Sequence, residues 1–335
     1  MKTILVTGAN GFVGTHILKK LMKLDGIKLI AACRDKTKLI AEFKGEVRQG
    51  DFRDDDYLDE MLEGVDIVCN AMAWTALWQH KKQSQDLYYE PTLKLIDKII
   101  AKGITRFINV STTSAASPEN STDALSQGIP RSYWPHLCSV IKIENYMRAK
   151  ANSDTCMVNM RLGIFAGEHY GLGVLPILLP RLKTHLVPWV ANGKTSLPII
   201  SGSDIGEAMK CAAMVEGLTA YESFNVVGRE VPSVREVIEF LHDEFGYPKP
   251  HFKVPFFIAY TFAWFMETLD PIVPWEPLIT RSIVHILEEV AVDNKIATQR
   301  LGYYPQQDWR DAVRGQVHEM NELQKKPMKM ARPFV

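Results

Sequence analysis

The stretch Ile4-Leu5-Val6-Thr7-Gly8-Ala9-Asn10-Gly11-Phe12-Val13-Gly14 carries an apolar strand straight into a turn with a glycine at every third position. Gly8 permits the sharp turn, Gly11 lets the backbone approach a pyrophosphate, and Gly14 lets the following helix pack closely, with its N–H groups aimed at the anion. Gly8, Asn10, Gly11, Phe12, Val13 and Gly14 are the residues expected to line this cradle. Val13, Ile17, Leu21 and Leu24 then fall on one helical face, as an element laid on a sheet requires.

Outward from this turn, apolar strands near residues 3–7, 28–33, 46–49, 65–70, 104–111 and 155–161 alternate with amphipathic segments. The rhythm predicts an α/β fold, a Rossmann-type doubly wound parallel sheet with helices on both faces. Ligands in such folds bind beyond the carboxyl ends of the strands, where Gly8, Arg34, Asp51, Ala71 and Ser111 fall. After residue 164 the pattern changes to a proline-interrupted apolar stretch, a helix from about Asp204 and a strand at Phe224-Asn225-Val226-Val227. We expect residues 1–164 plus about 200–228 to form the dinucleotide-binding domain, and residues 165–199 and 229–335 a smaller C-terminal substrate lobe.

The 335 residues are 46% hydrophobic and 23% charged, enough for a large core. Thirty-nine basic and 39 acidic side chains cancel, so net charge points to neither a nucleic-acid partner nor an anionic membrane. Five scattered cysteines without a Cys-x-x-Cys pair argue for reduced thiols and against structural zinc, and no metal site is expected. With only three residues before the first core strand, the expected location is cytoplasmic.

The Thr-Gly-x-x-Gly-x-x-Gly spacing resembles the short-chain dehydrogenase/reductase superfamily in its extended, epimerase/dehydratase-like branch. Asp293-Asn294-Lys295-Ile296-Ala297 and Leu301-Gly302-Tyr303-Tyr304-Pro305 resemble the C-terminal signature of extended members, including hydroxysteroid dehydrogenase and dihydroflavonol reductase relatives. The second strand ends Ala31-Ala32-Cys33-Arg34-Asp35. Arg34, with Lys36 and Lys38, favours a 2′-phosphate and hence NADP(H), whereas Asp35 is the competing signal for NAD(H). By resemblance, Asp51 with Phe52 meets the adenine, and Ala71-Met72-Ala73 lines the cofactor.

The resemblance also implies a Ser or Thr at the end of the fifth strand, and a Tyr four residues before a Lys on the next helix. Counting from Arg106-Phe107 selects Thr112, with Thr113 and Ser111 as rivals. Ser139-Val140-Ile141-Lys142-Ile143-Glu144-Asn145 matches the family's Ser-Lys-x-x-Glu neighbourhood and nominates Lys142, for both catalysis and the cofactor ribose. The Tyr position is then Cys138. Its thiol is either a small buried residue or an acid-base group whose pKa Lys142 lowers, acting through a water or a shifted substrate. Tyr133, His136 and Tyr146 are alternative acids. Tyr88-Tyr89-Glu90-Pro91-Thr92 replaces the family's Asn-x-x-Gly-Thr, and Met160-Arg161-Leu162-Gly163 resembles a stretch near the nicotinamide, in which Arg161 contacts either the cofactor or a carboxylate.

Residues 254–269 are apolar on every side for about four helical turns, too short for a bilayer span of about 20 residues. The segment needs a cover, from the protein core or a subunit interface, a hydrophobic substrate channel, or a membrane surface. Trp74, Trp78 and His80 are placed at the pocket mouth, and Lys325-Lys326-Pro327-Met328-Lys329 reads as a solvated tail. These readings converge on an NADP(H)-dependent oxidoreductase interconverting hydroxyl and carbonyl on an apolar small molecule, with homodimerisation common in the family. The alternatives are a non-catalytic NADP(H)-binding sensor or assembly protein, and a nucleotide-sugar epimerase or dehydratase.

Overall fold

The computed structural model describes residues 1–116, 118–270, 272–273 and 277–325. Residues 326–329 of the basic tail lie outside them. Seven strands form one parallel sheet: β1 (Lys2–Thr7), β2 (Ile27–Cys33), β3 (Glu46–Gln49), β4 (Ile67–Asn70), β5 (Arg106–Thr112), β6 (Cys156–Leu162) and β10 (Tyr221–Val226), in the order β10-β6-β5-β4-β1-β2-β3. Two small pairs lie outside it, β7 (Ile164–Ala166) with β9 (Ile199–Ser201) and β8 (Trp189–Val190) with β11 (Lys253–Val254). The expected strands are all present. The order reverses direction between β1 and β4, the crevice where a doubly wound sheet takes its ligand.

The helices, in chain order, are α1 (Phe12–Leu21), α2 (Asp55–Met61), α3 (Lys81–Ser84), α4 (Glu90–Ala101), α5 (Pro135–Lys150), α6 (Val174–Leu182), α7 (Gly202–Met214), α8 (Val234–Phe245), α9 (Phe256–Leu269), α10 (Arg281–Ile286), α11 (Lys295–Leu301) and α12 (Trp309–Lys325). Alternate strand residues feed opposite layers. Ile4 and Val6 pack with Ile17, Leu21, Ile205 and Met209 of α1 and α7. Leu5, Val68 and Phe107 pack with Leu58, Leu95, Ile99 and Val140 of α2, α4 and α5. This two-sided burial explains why the strands read as continuous apolar runs.

One transverse row of the sheet is polar. Thr7, Asn70, Asn109, Asn159 and Ser223 are register partners across five strands. The Thr7 hydroxyl donates to Asn70 Oδ1 at 2.6 Å, and Asn70 Nδ2 donates to Asn109 Oδ1 at 2.8 Å. In the next row, Ser111 and Arg161 are partners, and both meet Glu144 of α5. Glu144 accepts from Ser111 Oγ (2.5 Å), Asn159 Nδ2 (2.9 Å), Arg161 Nε (3.0 Å) and Arg161 Nη2 (2.6 Å). Arg161 is 0% exposed and Glu144 3%. These bonds offset much of the cost of burying the ion pair, although Arg161 Nη1 and Asn159 Oδ1 have no partner among the described residues.

A further local feature has a simple cause. Between α3 and α4 the helix widens to a π turn over Gln85–Tyr89, where the Glu90 N–H donates to the Gln85 carbonyl. Pro91 follows, with no N–H to offer the Leu87 carbonyl and a ring that clashes with it, and the widened turn relieves that conflict.

Replacing Glu144 by Ala strands the Arg161 charge in the core. We expect a loss of about 3–5 kcal/mol in urea unfolding, with a smaller loss when Glu144→Leu is combined with Arg161→Met.

Candidate active site

The glycine turn is fixed by backbone contacts. Gly8 has φ +58°, and a Cβ on it would lie 2.6 Å from the Ala71 carbonyl oxygen. A Cβ on Gly14 would lie 2.3 Å from the Gly8 carbonyl oxygen, so α1 packs against the turn at a distance only glycine allows. Gly11 differs: its φ is −87°, and the sole neighbour of a Cβ there would be the Gly8 oxygen at 3.3 Å. The space beyond Gly11 is open, at the N-terminus of a ten-residue helix that no side chain caps and whose first turn holds no acid. This suits a diphosphate, which would meet unshared N–H donors and the positive end of the helix dipole. The Phe12 and Val13 side chains point elsewhere. Val13 is in the core, and the Phe12 ring lies 4.7 Å from Tyr170 and 4.8 Å from His16, leaving their backbone N–H groups for the cradle.

Asn10 Nδ2 donates to the Asp35 carbonyl at 2.9 Å, tying the glycine turn to the end of β2. There the Asp35 carboxylate accepts from the Thr37 N–H (3.0 Å) and hydroxyl (2.6 Å), and Lys38 stands 3.6 Å away. These bonds hold its pKa below the usual carboxylate range. Arg34 is exposed, and its guanidinium pairs with no carboxylate among the described residues. Asp51 is gripped by Arg53 through Nε (2.9 Å) and Nη2 (2.6 Å), which lowers its pKa to about 2. Phe52 turns into the core against Tyr57, so its backbone alone faces outward. Ala71 abuts Gly8, Met72 packs on the second core layer, and Ala73 is exposed.

At the end of β5, Ser111 is buried on Glu144 and Thr113 is 2% exposed, which leaves Thr112 as the partly accessible hydroxyl. Its Oγ1 accepts from the Ser114 N–H at 3.2 Å. Lys142 is exposed on α5, with its Nζ 5.6 Å from the centre of the Tyr89 ring. For Arg161 and Cys138 the structure favours one of the alternatives left open. Arg161 is fully buried beneath α5, paired with the Glu144 carboxylate and donating to the Ser126 carbonyl (2.8 Å), which speaks against its place among the cofactor-binding residues. Burial pushes the Cys138 pKa up against the lowering effect of the Arg131 backbone and of the nearby Lys142, and the Sγ–H donates to the Arg131 carbonyl at 3.0 Å, a bond that favours the protonated thiol.

The alternative acids are engaged elsewhere. Tyr146 donates to Asp97 at 2.7 Å, and Tyr133 lies between Tyr260 and the Arg281 guanidinium. His136 is half-buried against Tyr88, with its pKa lowered to about 4 by desolvation. Trp74 packs on the core with His80 edge-on to it. Sequence reading missed His285, which is 7% exposed. Its Nδ1 meets the Glu288 carboxylate at 2.8 Å and its Nε2 meets the Ser114 carbonyl at 3.1 Å, bracing the loop after Thr112. No local pattern signals such a contact, which spans 171 residues. Glu144 had a signal: an acid in the helical phase of Leu137, Val140, Ile141 and Met147 needs a buried cation.

Residues 4–226 match the model of the NAD dependent epimerase/dehydratase family. The chain belongs to this family. It is accordingly an oxidoreductase-type enzyme with a nicotinamide dinucleotide cofactor. Among family relatives it is similar to the decarboxylating sterol-4-alpha-carboxylate 3-dehydrogenase of Dictyostelium discoideum, 23% identical over 90% of this chain and 96% of that one. A putative dihydroflavonol 4-reductase of Synechocystis is 24% identical over 93% of each. The fold is shared with the UDP-glucose 4-epimerase of Thermotoga maritima, with a TM-score of 0.71 and 18% identity over 96% of this chain and 100% of that one. Among the described residues no helix is long and apolar enough to cross a membrane, and no group of His, Cys, Asp and Glu is arranged to hold a metal.

Gly11→Ala is expected to fold, with a melting temperature close to that of the parent, while NADPH affinity falls at least about ten-fold. Gly14→Ala is expected to lose the fold itself, read as a large drop in melting temperature.

Proposed function

We propose that the chain is an NADP(H)-dependent oxidoreductase interconverting a hydroxyl and a carbonyl on an apolar small molecule. The observation that carries this reading is the placement of Lys142, an exposed ammonium without a carboxylate partner among the described residues, on the helix whose Glu144 is bound to Ser111, next to Thr112. Gly8, Gly11 and the first N–H groups of α1 hold the diphosphate, Asn10 orders the turn, and Arg34 receives a 2′-phosphate. Asp51, the Phe52 backbone and residues 71–73 bound the rest of the cofactor cleft, and Lys142 holds the nicotinamide ribose. The bound dinucleotide supplies or accepts the hydride. Thr112 polarises the substrate oxygen, and with Cys138 committed to the Arg131 carbonyl the proton is exchanged through water near Lys142.

Support for an apolar substrate comes from the relatives named above, a sterol-4-alpha-carboxylate 3-dehydrogenase and a putative dihydroflavonol 4-reductase. We assign residues 1–164 and about 200–228 to cofactor binding, and residues 165–199 and 229–335 to the substrate lobe.

A second reading, an NADP(H)-binding protein without turnover, is favoured by the thiol at position 138. A third, nucleotide-sugar chemistry, is suggested by solved relatives complexed with UDP-sugars and NAD, such as MoeE5 with UDP-glucose.

The test is a fluorescence titration with NADPH and NADH, followed by turnover on a panel of apolar carbonyl compounds with a UDP-glucose arm. We expect NADPH to bind more tightly, Arg34→Ala to weaken it about ten-fold or more with little change for NADH, and Lys142→Met to abolish turnover. Binding without turnover, accompanied by a large rate gain in Cys138→Tyr, overturns the oxidoreductase reading in favour of the second. Turnover of UDP-glucose alone overturns it in favour of the third.

A further inference from the structure

Helix α9 resolves the question of cover for the apolar segment in an unexpected way: it is covered on one side only. Ala259, Ala263 and Glu267 are buried, whereas Phe257, Ile258, Phe262, Trp264 and Phe265 are 47 to 68% exposed. At 100° per residue these five span one continuous arc opposite the buried three. The only other exposed residues on that arc, Thr261 and Thr268, have hydroxyls bonded to the Phe257 and Phe265 carbonyls at 2.8 and 2.7 Å. The exposed face therefore offers no free polar group to water. Both hydroxyls are satisfied within the helix, as a hydrocarbon environment requires and an aqueous one does not.

The surroundings are cationic although the whole chain is neutral. Residues 174–190 and 245–266 contain no Asp or Glu, yet carry Arg181, Lys183, Lys249 and Lys253, with His185 and His251. The two segments lie together: β8 pairs with β11, the Trp189 N–H donates to the Phe252 carbonyl at 2.8 Å, and the His185 ring stacks on His251 at 5.5 Å. Leu186, at 73% exposure, and Phe252, at 46%, extend the apolar surface into this basic region. Among the described residues Asp243 pairs with Lys249 and Glu267 with Arg281, whereas Asp270 accepts from the neutral Gln79 and keeps its charge, which leaves Arg181, Lys183 and Lys253 as the cations without a carboxylate partner.

We propose that α9 lies flat in the interface of an anionic lipid bilayer, with Phe257, Ile258, Phe262, Trp264 and Phe265 in the acyl boundary, and with Lys253, Lys183 and Arg181 on the headgroups. An apolar face with an aromatic belt and a basic rim, on a helix too short to span, is the composition of a helix that binds in the membrane plane. The rim selects anionic lipid, each cation adding roughly a five-fold gain near such a surface. This inference stands apart from the dinucleotide reading, since none of these residues touches the glycine turn or Lys142.

The full-length protein is tested by flotation with phosphatidylcholine vesicles and with vesicles in which part of that lipid is replaced by phosphatidylglycerol. We expect flotation with the anionic vesicles, quenching of Trp264 by lipids brominated along the acyl chain, and loss of that quenching in Trp264→Leu. Combined Phe257→Ser, Phe262→Ser and Phe265→Ser should weaken vesicle binding at least about ten-fold, and Lys253→Glu at least about five-fold, with NADPH affinity unchanged. No flotation with either vesicle, equal binding by the triple variant, or a concentration-dependent dimer that shields Trp264 and does not float would overturn the proposal. Equal binding to both vesicle types removes the role given to the cations and overturns it as stated.

Discussion

The carboxylate of Glu144 is where the helix bearing Lys142 is fastened to the sheet. It gathers Ser111 of β5 and Asn159 and Arg161 of β6 onto one group, in a layer from which water is excluded. Taking two charges out of water is expensive, and four hydrogen bonds to one carboxylate offset that cost only in a single relative placement of helix and strands. Apolar packing alone would let α5 slide by part of a turn. Thr112 follows Ser111 and Lys142 lies two residues before Glu144, so the same anchor fixes both ends of the candidate site.

The glycine turn at the other end of the candidate site is organised by exclusion instead of charge. Gly8 and Gly14 are confined by carbonyl oxygens less than 3 Å from where a side chain would begin, while Gly11 faces open space. The packing of the fold therefore demands two of the three glycines and leaves the third free of close neighbours. Asn10 extends the arrangement to β2 through the Asp35 carbonyl, which places Arg34 beside the turn and leaves the Asp35 carboxylate to Thr37.

The departures from the family pattern share one interface. Pro91 forces the π turn that carries Tyr88 and Tyr89, and across from it α5 presents His136, Ser139 and Lys142. Tyr88 packs on His136, Ser84 meets the Ser139 hydroxyl at 2.8 Å, and Tyr89 lies beneath the Lys142 ammonium. Cys138, on the same helix, turns back to the Arg131 carbonyl of the preceding loop. The contact between the two helices is thus packed as a unit around these residues.

The parallel sheet, its strand positions and the glycine cradle were legible in the sequence because each rests on short-range constraints: a period of apolar residues, a strand length, a spacing of residues without side chains. The bracing of Ser114 by His285 was not, since it joins groups 171 residues apart, and the sequence left open whether Arg161 meets a cofactor or a carboxylate, which the seating of α5 on the sheet decides in favour of Glu144. The tertiary structure likewise decided which face of α9 is left bare. A sequence that is apolar all round a helix records that cover is needed, and only the packing of α10 and β8 against it determines which side receives it.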